Sequence, residues 1–236
     1  ELTLFKGKPM VDVKLKLNWK GECSRIRLKL STLLNTSEGI YEIPFGTVRR
    51  RPYGVTGTAR GEWPAHRFVA MEDNLHGIAL INTGTAGVEV NGGTMLNTLI
   101  RAPKSEYAGM TSDETSSQHG DHLFAFAIVP YSGSWENSSV VQAAQEKNNP
   151  VHTEGVGFLE NKEYSLMELS SSNVVLSAVK GADDGTGELV IRVYETAGKE
   201  ASVQLYVKGS EKAWSSNLKE DKFEAIQCEG ENVEFT

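Results

Sequence analysis

The sequence predicts an all-β protein made of two packed units, and three observations support this. Apolar and polar residues alternate strictly in several segments, most clearly over residues 11–19. Glycine, at 23 of 236 residues, exceeds its usual share of about 7%, as expected for many short strands joined by tight turns. Only residues 137–149 have convincing helical spacing.

The first strands are predicted from this alternation. Residues 11–19 form one strand, and Ile26, Leu28 and Leu30 continue the pattern after a turn at Gly21, so we predict a hairpin. Residues 123–129 are apolar on both faces, which is typical of a strand in the middle of a sheet. Pro130 is expected to end that strand, because proline cannot donate to the ladder.

A helix over residues 137–149 follows, ended by Asn148, Asn149 and Pro150. Further strands are predicted at 174–179, 188–194, 201–207 and 233–235. We therefore place a domain boundary near residue 153, with domains at 1–153 and 154–236.

Composition excludes some partners and compartments. The net charge of −7 argues against nucleic acid or an anionic membrane surface, since both need a basic footprint. No signal peptide or membrane-length apolar run is present.

Cys23 and Cys228 are interpreted as two reduced thiols. The chain opens on Glu1 rather than Met, which is interpreted as a trimmed fragment.

No catalytic or metal-binding residue is predicted in this chain. His119 and His122 lack the further ligands that zinc requires. Residues 183–188 are interpreted as a hairpin turn rather than a calcium loop. Four tryptophans remain as an alternative sugar-stacking surface, although burial accounts for them more simply: Trp19, Trp63, Trp135 and Trp214.

Six short sequence motifs, taken in order, resemble those of the C-terminal β-domains of the family 38 glycoside hydrolases, the class II α-mannosidases. They lie at residues 41–46, 62–68, 77–82, 99–103, 120–124 and 130–135. Residues 173–180 and 189–196 are similar to the family's terminal domain. The resemblance covers about residues 8–207, with two departures. Tyr131 stands where members commonly have His. The region 108–117 aligns loosely, and Glu106 is the candidate for an acidic residue that many members carry nearby.

The resemblance implies the later part of a large, galactose-mutarotase-like β-sandwich (a supersandwich), followed by a smaller β-sandwich. The family hydrolyses α-mannosidic bonds with retention, using an Asp nucleophile and zinc in an N-terminal α/β domain. That domain is missing here, so the chain alone is expected to be inactive and to hold no zinc. The implied partners are its own catalytic domain and a mannose-containing oligosaccharide. A cytoplasmic, bacterial-type enzyme is expected rather than a secreted or lysosomal one.

The resemblance also implies that Arg101 binds substrate, because in the family a loop at the motif matching residues 99–103 reaches towards the active site. A guanidinium can hold sugar hydroxyls or a carboxylate through its fork of donors. The alternative for Arg101 is an ordinary pair with a local acid. Glu62 and Arg67 are interpreted as a structural ion pair or an interdomain contact.

Two other functions stay open. The chain could be a carbohydrate-binding module, or a structural sandwich that mediates oligomer contacts. Because the family's large sandwich begins upstream of Glu1, exposed strand edges are expected, and these favour a homo-oligomer.

Overall fold

The computed structural model describes residues 1–52, 61–103, 106–107, 110–111, 114–155 and 163–236. These residues form two compact units, Glu1–Pro150 and Val151–Thr236. Every strand pair in the described ranges is antiparallel. The predicted all-β class is confirmed.

The first unit is built mainly of strands, with one α-helix. Its strands are β1 (Leu2–Leu4), β2 (Val11–Trp19), β3 (Ser24–Ser31), β4 (Gly39–Ile43), β5 (Gly46–Arg50), β6 (Trp63–Pro64), β7 (Phe68–Glu72), β8 (His76–Asn82), β9 (Gly87–Asn91), β10 (Thr94–Ala102), β11 (Glu106–Tyr107), β12 (Met110–Thr111) and β13 (Gly120–Ser132). The helices are α1 (Val140–Asn148) and two 3₁₀ turns, Glu114–Ser117 and Trp135–Asn137.

Two sheets of this unit pack face to face. The larger has the order β1-β2-β13-β8-β7-β4-β5, and the smaller has the order β3-β10-β9-β6. Tyr41, Leu80 and Phe126 from the larger sheet meet Val88 and Met95 from the smaller one in a fully buried core. Burial of such side chains contributes roughly 1.5–3 kcal/mol each, which makes this core the main source of stability.

The predicted hairpin between residues 11–19 and 26–30 is wrong. β2 pairs with β1 and β13, whereas β3 pairs with β10 in the other sheet. Each strand does turn one apolar face inward, as the alternation indicates. Alternation identifies a buried face but does not identify the neighbouring strand, and here the two faces line the core from opposite sheets.

The strand at residues 123–129 lies inside the larger sheet, between β2 and β8, as predicted. It does not end at Pro130, because β13 continues to Ser132. Pairing with β2 stops at Ile128, so Pro130 has a neighbour only on the β8 side and its missing N–H faces the open side. Leu123 is exposed, so the strand is less completely covered than expected.

The predicted helix is confirmed, although α1 begins later than expected because the 3₁₀ turn Trp135–Asn137 precedes it. α1 contacts β7, β8 and β13 of the larger sheet. Lys147 pairs with Asp12 of β2 at 2.8 Å, and Asn148 donates to the carbonyl of Asn82. None of the helices in the described ranges is long and apolar enough to span a membrane.

The second unit consists of short strands. They are β14 (Met167–Leu169), β15 (Val174–Gly181), β16 (Leu189–Glu195), β17 (Val203–Val207), β18 (Ala213–Ser216), β19 (Lys222–Ile226), β20 (Cys228–Glu229) and β21 (Asn232–Phe235). One sheet has the order β14-β17-β21-β20, and two further pairs are β15-β16 and β18-β19. The segment between β15 and β16 is a hairpin turn, as predicted. Cys23 and Cys228 are unpaired.

A buried ion pair in the first unit generates a stability prediction. Glu42, 3% exposed, accepts hydrogen bonds from the Arg67 backbone N–H at 2.8 Å and from its guanidinium at 2.5 Å. Replacing Arg67 by Met leaves this carboxylate buried without its cation, so the free energy of unfolding should fall by roughly 3–5 kcal/mol.

Urea unfolding followed by tryptophan fluorescence measures this, since Trp19, Trp63 and Trp135 lie in the first unit. Lys8→Met is the control, because Lys8 pairs with Glu146 at 3.7 Å on the surface and should cost less than about 1 kcal/mol. Equal losses for the two variants would contradict the assignment.

Glu195 generates a pH prediction in the second unit. Burial opposes ionisation, but hydrogen bonds from Asn173 and from the backbone N–H groups of Ala197, Gly198 and Lys199 hold the pKa of Glu195 below its usual value. This carboxylate therefore stabilises the fold above its unfolded pKa of about 4.3, and the stabilisation disappears as the pH falls through the folded pKa.

Glu195→Gln should cost about 1–2 kcal/mol at pH 7, because Gln cannot accept the same set of bonds. The melting temperatures of the unmodified chain and of Glu195→Gln should converge as the pH falls from 7 to 3. Glu200→Gln, at an exposed position, is the control. A deficit that is the same at every pH would refute this role of the carboxylate.

Candidate functional site

Arg101 is the penultimate residue of β10, and its side chain is exposed. Its neighbours Ile100 and Ala102 are buried, so strand alternation turns the guanidinium away from the core. The strand is irregular just before this point. Its register with β3 shifts between Thr98 and Ile100, and the extra residue, Leu99, packs against the core cluster. A bulge of this kind re-aims the side chains that follow it.

Arg101 lies directly opposite Arg25 of β3. Like charges at facing positions of antiparallel strands are unfavourable, so a nearby carboxylate is expected to separate or neutralise them. Within the described ranges, no acidic side chain forms an ion pair with Arg101. The side chain of Glu106, the acidic residue that follows in the sequence, lies outside the described residues.

Glu62 supplies the nearby carboxylate. It immediately precedes β6, and it accepts a short hydrogen bond from the hydroxyl of Thr98. The same carboxylate lies 3.7 Å from Nη1 of Arg25 and 4.0 Å from Nη1 of Arg27. Its side chain is 19% exposed. One glutamate therefore contacts both β10 and β3 from the far side of the sheet.

Gly87, at the start of β9, makes this reach possible. A Cβ at Gly87 would lie only 3.1 Å from Oε2 of Glu62, tighter than ordinary van der Waals contact. The absence of a side chain lets the carboxylate pass over β9 towards Thr98. Pro64 is the β6 residue that faces Gly87 across the ladder.

Arg27 connects this group to a second carboxylate. It donates to Glu89 of β9 at 2.9 Å, and the Glu89 side chain is only 3% exposed. We call the set that these contacts join, together with Arg101, the charged face. Its members are Arg25, Arg27, Glu62, Glu89, Thr98 and Arg101.

Of the two alternatives for Glu62 and Arg67, the ion pair between them is wrong, whereas the interdomain contact stays a prediction. Glu62 binds residues of the smaller sheet, whereas Arg67 binds Glu42 of the larger sheet. The chain passes from β6 to β7 between these two residues, so their side chains are committed to different sheets. Proximity in sequence suggested a pair, but the change of sheet separates them.

Sequence reasoning identified Arg101 and Glu62 but missed Arg25, Arg27, Glu89 and Thr98. One signal was available, because Arg25, Arg27 and Lys29 alternate with Ile26 and Leu28 and so must share the polar face of β3. The pairing of β3 with β10, which brings Arg25 opposite Arg101, was the missing information.

His119 and His122 each contact a backbone carbonyl. His119 Nε2 lies 3.0 Å from the carbonyl of Gly21, and His122 Nε2 lies 2.7 Å from the carbonyl of Gln118. Over the described ranges, no group of three His, Cys, Asp or Glu side chains could hold a metal ion.

Each tryptophan is buried or contacts a neighbouring group within its own unit. Trp135 is buried, and Arg50 lies 4.9 Å over the ring of Trp63. Trp19 is half-buried and donates to the carbonyl of Ser117. Trp214 is 39% exposed, but Lys222 lies 4.4 Å from its ring centroid.

The charged face is chemically suited to binding. The carboxylates of Glu62 and Glu89 are bound by Arg25, Arg27 and Thr98. The Arg101 side chain is exposed, and its guanidinium carries five N–H donors. Such a guanidinium fits planar carboxylates and vicinal hydroxyls of sugars.

Two family models match the chain. The glycosyl hydrolases family 38 C-terminal domain matches residues 1–108, and the glycosyl hydrolases family 38 C-terminal beta sandwich domain matches residues 173–236. Between them they account for most of the sequence.

Curated relatives are similar over most of this chain. Alpha-mannosidase 2C1 of Homo sapiens is 29% identical over 212 residues, which is 88% of this chain and 20% of that protein. Alpha-mannosidase G of Dictyostelium discoideum is 28% identical over 194 residues, which is 80% of this chain and 17% of the relative. The chain therefore spans about a fifth of the length of these relatives.

Two solved structures are similar in fold to this chain. An alpha-mannosidase from Enterococcus faecalis V583 superposes with a TM-score of 0.85 at 18% identity, covering 100% of this chain and 28% of that one. A family 38 glycosyl hydrolase protein from Enterococcus faecalis superposes with a TM-score of 0.83 at 18% identity, covering 100% of this chain and 29% of that one.

Proposed function

Because the chain belongs to the family 38 glycosyl hydrolases as part of their C-terminal region, we propose that it serves a retaining α-mannosidase as a non-catalytic domain pair. In this role it packs on the enzyme's own catalytic domain and contributes one contact to a mannose-containing oligosaccharide. Zinc and the Asp nucleophile belong to that catalytic domain, and we place the enzyme in the cytoplasm.

The names and extents of the relatives support this proposal. Both curated relatives are named as alpha-mannosidases, and the matched region is a minor part of each. The two family models that match are C-terminal ones.

The observation that carries the substrate contact is the geometry of Arg101. Its side chain is exposed beside a bulge, while Glu62 and Glu89 of the charged face are bound to Arg25, Arg27 and Thr98. Arg101 is thus available for a sugar hydroxyl or for a carboxylate of the catalytic domain. Each would form charge-assisted hydrogen bonds, which are the stronger class.

Arg101→Ala in the α-mannosidase that contains this chain should lower kcat/KM for an α-mannoside roughly 10- to 100-fold. This corresponds to the loss of a hydrogen bond to a charged group, about 1.5–3 kcal/mol. Arg51→Ala is the control, since Arg51 is 81% exposed and pairs with Glu38. The isolated chain should hydrolyse no α-mannoside in the same assay. Unchanged kcat/KM for Arg101→Ala would remove this residue from the site.

We propose self-association as a second property, favoured by one specific observation. β1 is the edge strand of the larger sheet, and it has only β2 as a neighbour in the described residues. Leu2 and Leu4 on this strand are each 72% exposed. An apolar, open strand edge is a template for pairing with the same edge of another copy.

Leu4→Lys should reduce this association, because a lysine on an edge strand opposes edge-to-edge pairing. Sedimentation at high concentration should give species larger than a monomer for the unmodified chain and mostly monomer for the variant. Leu33→Lys is the control, because Leu33 is fully exposed and lies outside the strands. A monomeric unmodified chain, or an association unaffected by Leu4→Lys, would overturn the proposal.

A further inference from the structure

We infer that Glu62 is a positioning residue for Arg101. The inference rests on the proposed function, in which Arg101 makes the contact with substrate or catalytic domain. Glu62 itself acts from within the sheet, through β10 and β3.

The first step is the hydrogen bond to Thr98. Thr98 is the last regularly paired residue of β10 before the bulge, and pairing resumes at Ile100, one residue before Arg101. Because Glu62 accepts from the Thr98 hydroxyl, it fixes the point at which β10 leaves its regular register. The direction of the Arg101 side chain depends on that point, since a shift of one residue reverses the face to which a side chain points.

The second step is electrostatic. Arg25 faces Arg101 directly across the ladder, and the Glu62 carboxylate lies 3.7 Å from the Arg25 guanidinium. This carboxylate offsets the repulsion that two facing guanidinium groups would otherwise experience. The Arg101 guanidinium can then stay above the β3–β10 pair without being repelled by Arg25.

The third step concerns the path of the Glu62 side chain. Glu62 reaches Thr98 over Gly87, where a Cβ would lie 3.1 Å from Oε2. The backbone of Gly87 does not adopt a positive φ, so alanine is compatible with its conformation. Gly87→Ala is therefore a probe that displaces the Glu62 carboxylate by a few tenths of an ångström without changing any charge.

The first test uses the chain by itself and does not depend on enzyme activity. The ¹⁵N resonance of Arg101 Nε is compared between the unmodified chain and Glu62→Gln, and its relaxation reports the mobility of the guanidinium. We expect a shifted and more mobile Arg101 signal in Glu62→Gln and a smaller change of the same kind in Gly87→Ala. Glu38→Gln is the control, because Glu38 also pairs with two arginines, Arg49 and Arg51, but on a different hairpin.

The second test is a double-mutant cycle in the α-mannosidase that contains this chain. Glu62→Gln should lower kcat/KM about fivefold when Arg101 is present, and it should have no further effect in Arg101→Ala. Glu38→Gln should leave kcat/KM unchanged in both backgrounds. A purely structural role would instead lower activity equally with and without Arg101.

The possible outcomes separate the two hypotheses. An Arg101 signal that is unchanged in Glu62→Gln, or equal losses of activity in both backgrounds, overturns the positioning role. If Arg101→Ala is fully active, the proposed substrate contact fails, and the Arg101 signal of the isolated chain alone then decides whether Glu62 positions this side chain.

Discussion

The arrangement of the first unit depends on one short segment, residues 62–67, which crosses from the smaller sheet to the larger one. Its two charged ends are bound to different sheets, Glu62 to Thr98 and the β3 arginines, and Arg67 to Glu42. Between them, Ala65 is fully buried and donates its N–H to the carbonyl of Ala86. The segment therefore fixes the two sheets relative to each other by charge as well as by apolar packing.

Carboxylates with several donors recur at junctions between strands. Glu72, at the end of β7, accepts from Arg49 at 2.6 Å, from the Tyr131 hydroxyl at 3.1 Å and from the Trp135 N–H at 2.9 Å. Burial and this carboxylate raise the pKa of Tyr131, so it remains a hydrogen-bond donor at all moderate pH values. Glu72 thus connects β7 to β5, to β13 and to the 3₁₀ turn Trp135–Asn137.

The sequence predicted the strands and the helix that depend on local pattern, but it did not predict which distant strands pair. Alternation located β2, a run apolar on both faces located β13, and helical spacing located α1. The hairpin of β2 with β3 was wrong, because an alternating strand is compatible with either sheet of a sandwich. Glu62 was singled out but assigned the wrong partner, and Arg25 was missed, because the contact needs the register of β3 with β10. Arg101 was found through family resemblance, and its bulge and its arginine neighbour came only from the structure.

We propose that this β-region supplies Arg101 to the active site of an α-mannosidase, with Arg101 held in place from within its own sheet. The most direct measurement is an experimental structure of the complete enzyme with a mannoside bound. We expect the Arg101 guanidinium to lie within about 3.2 Å of a sugar hydroxyl, or of a carboxylate that itself contacts the sugar. An Arg101 side chain facing bulk solvent, away from both the sugar and the catalytic domain, would contradict it.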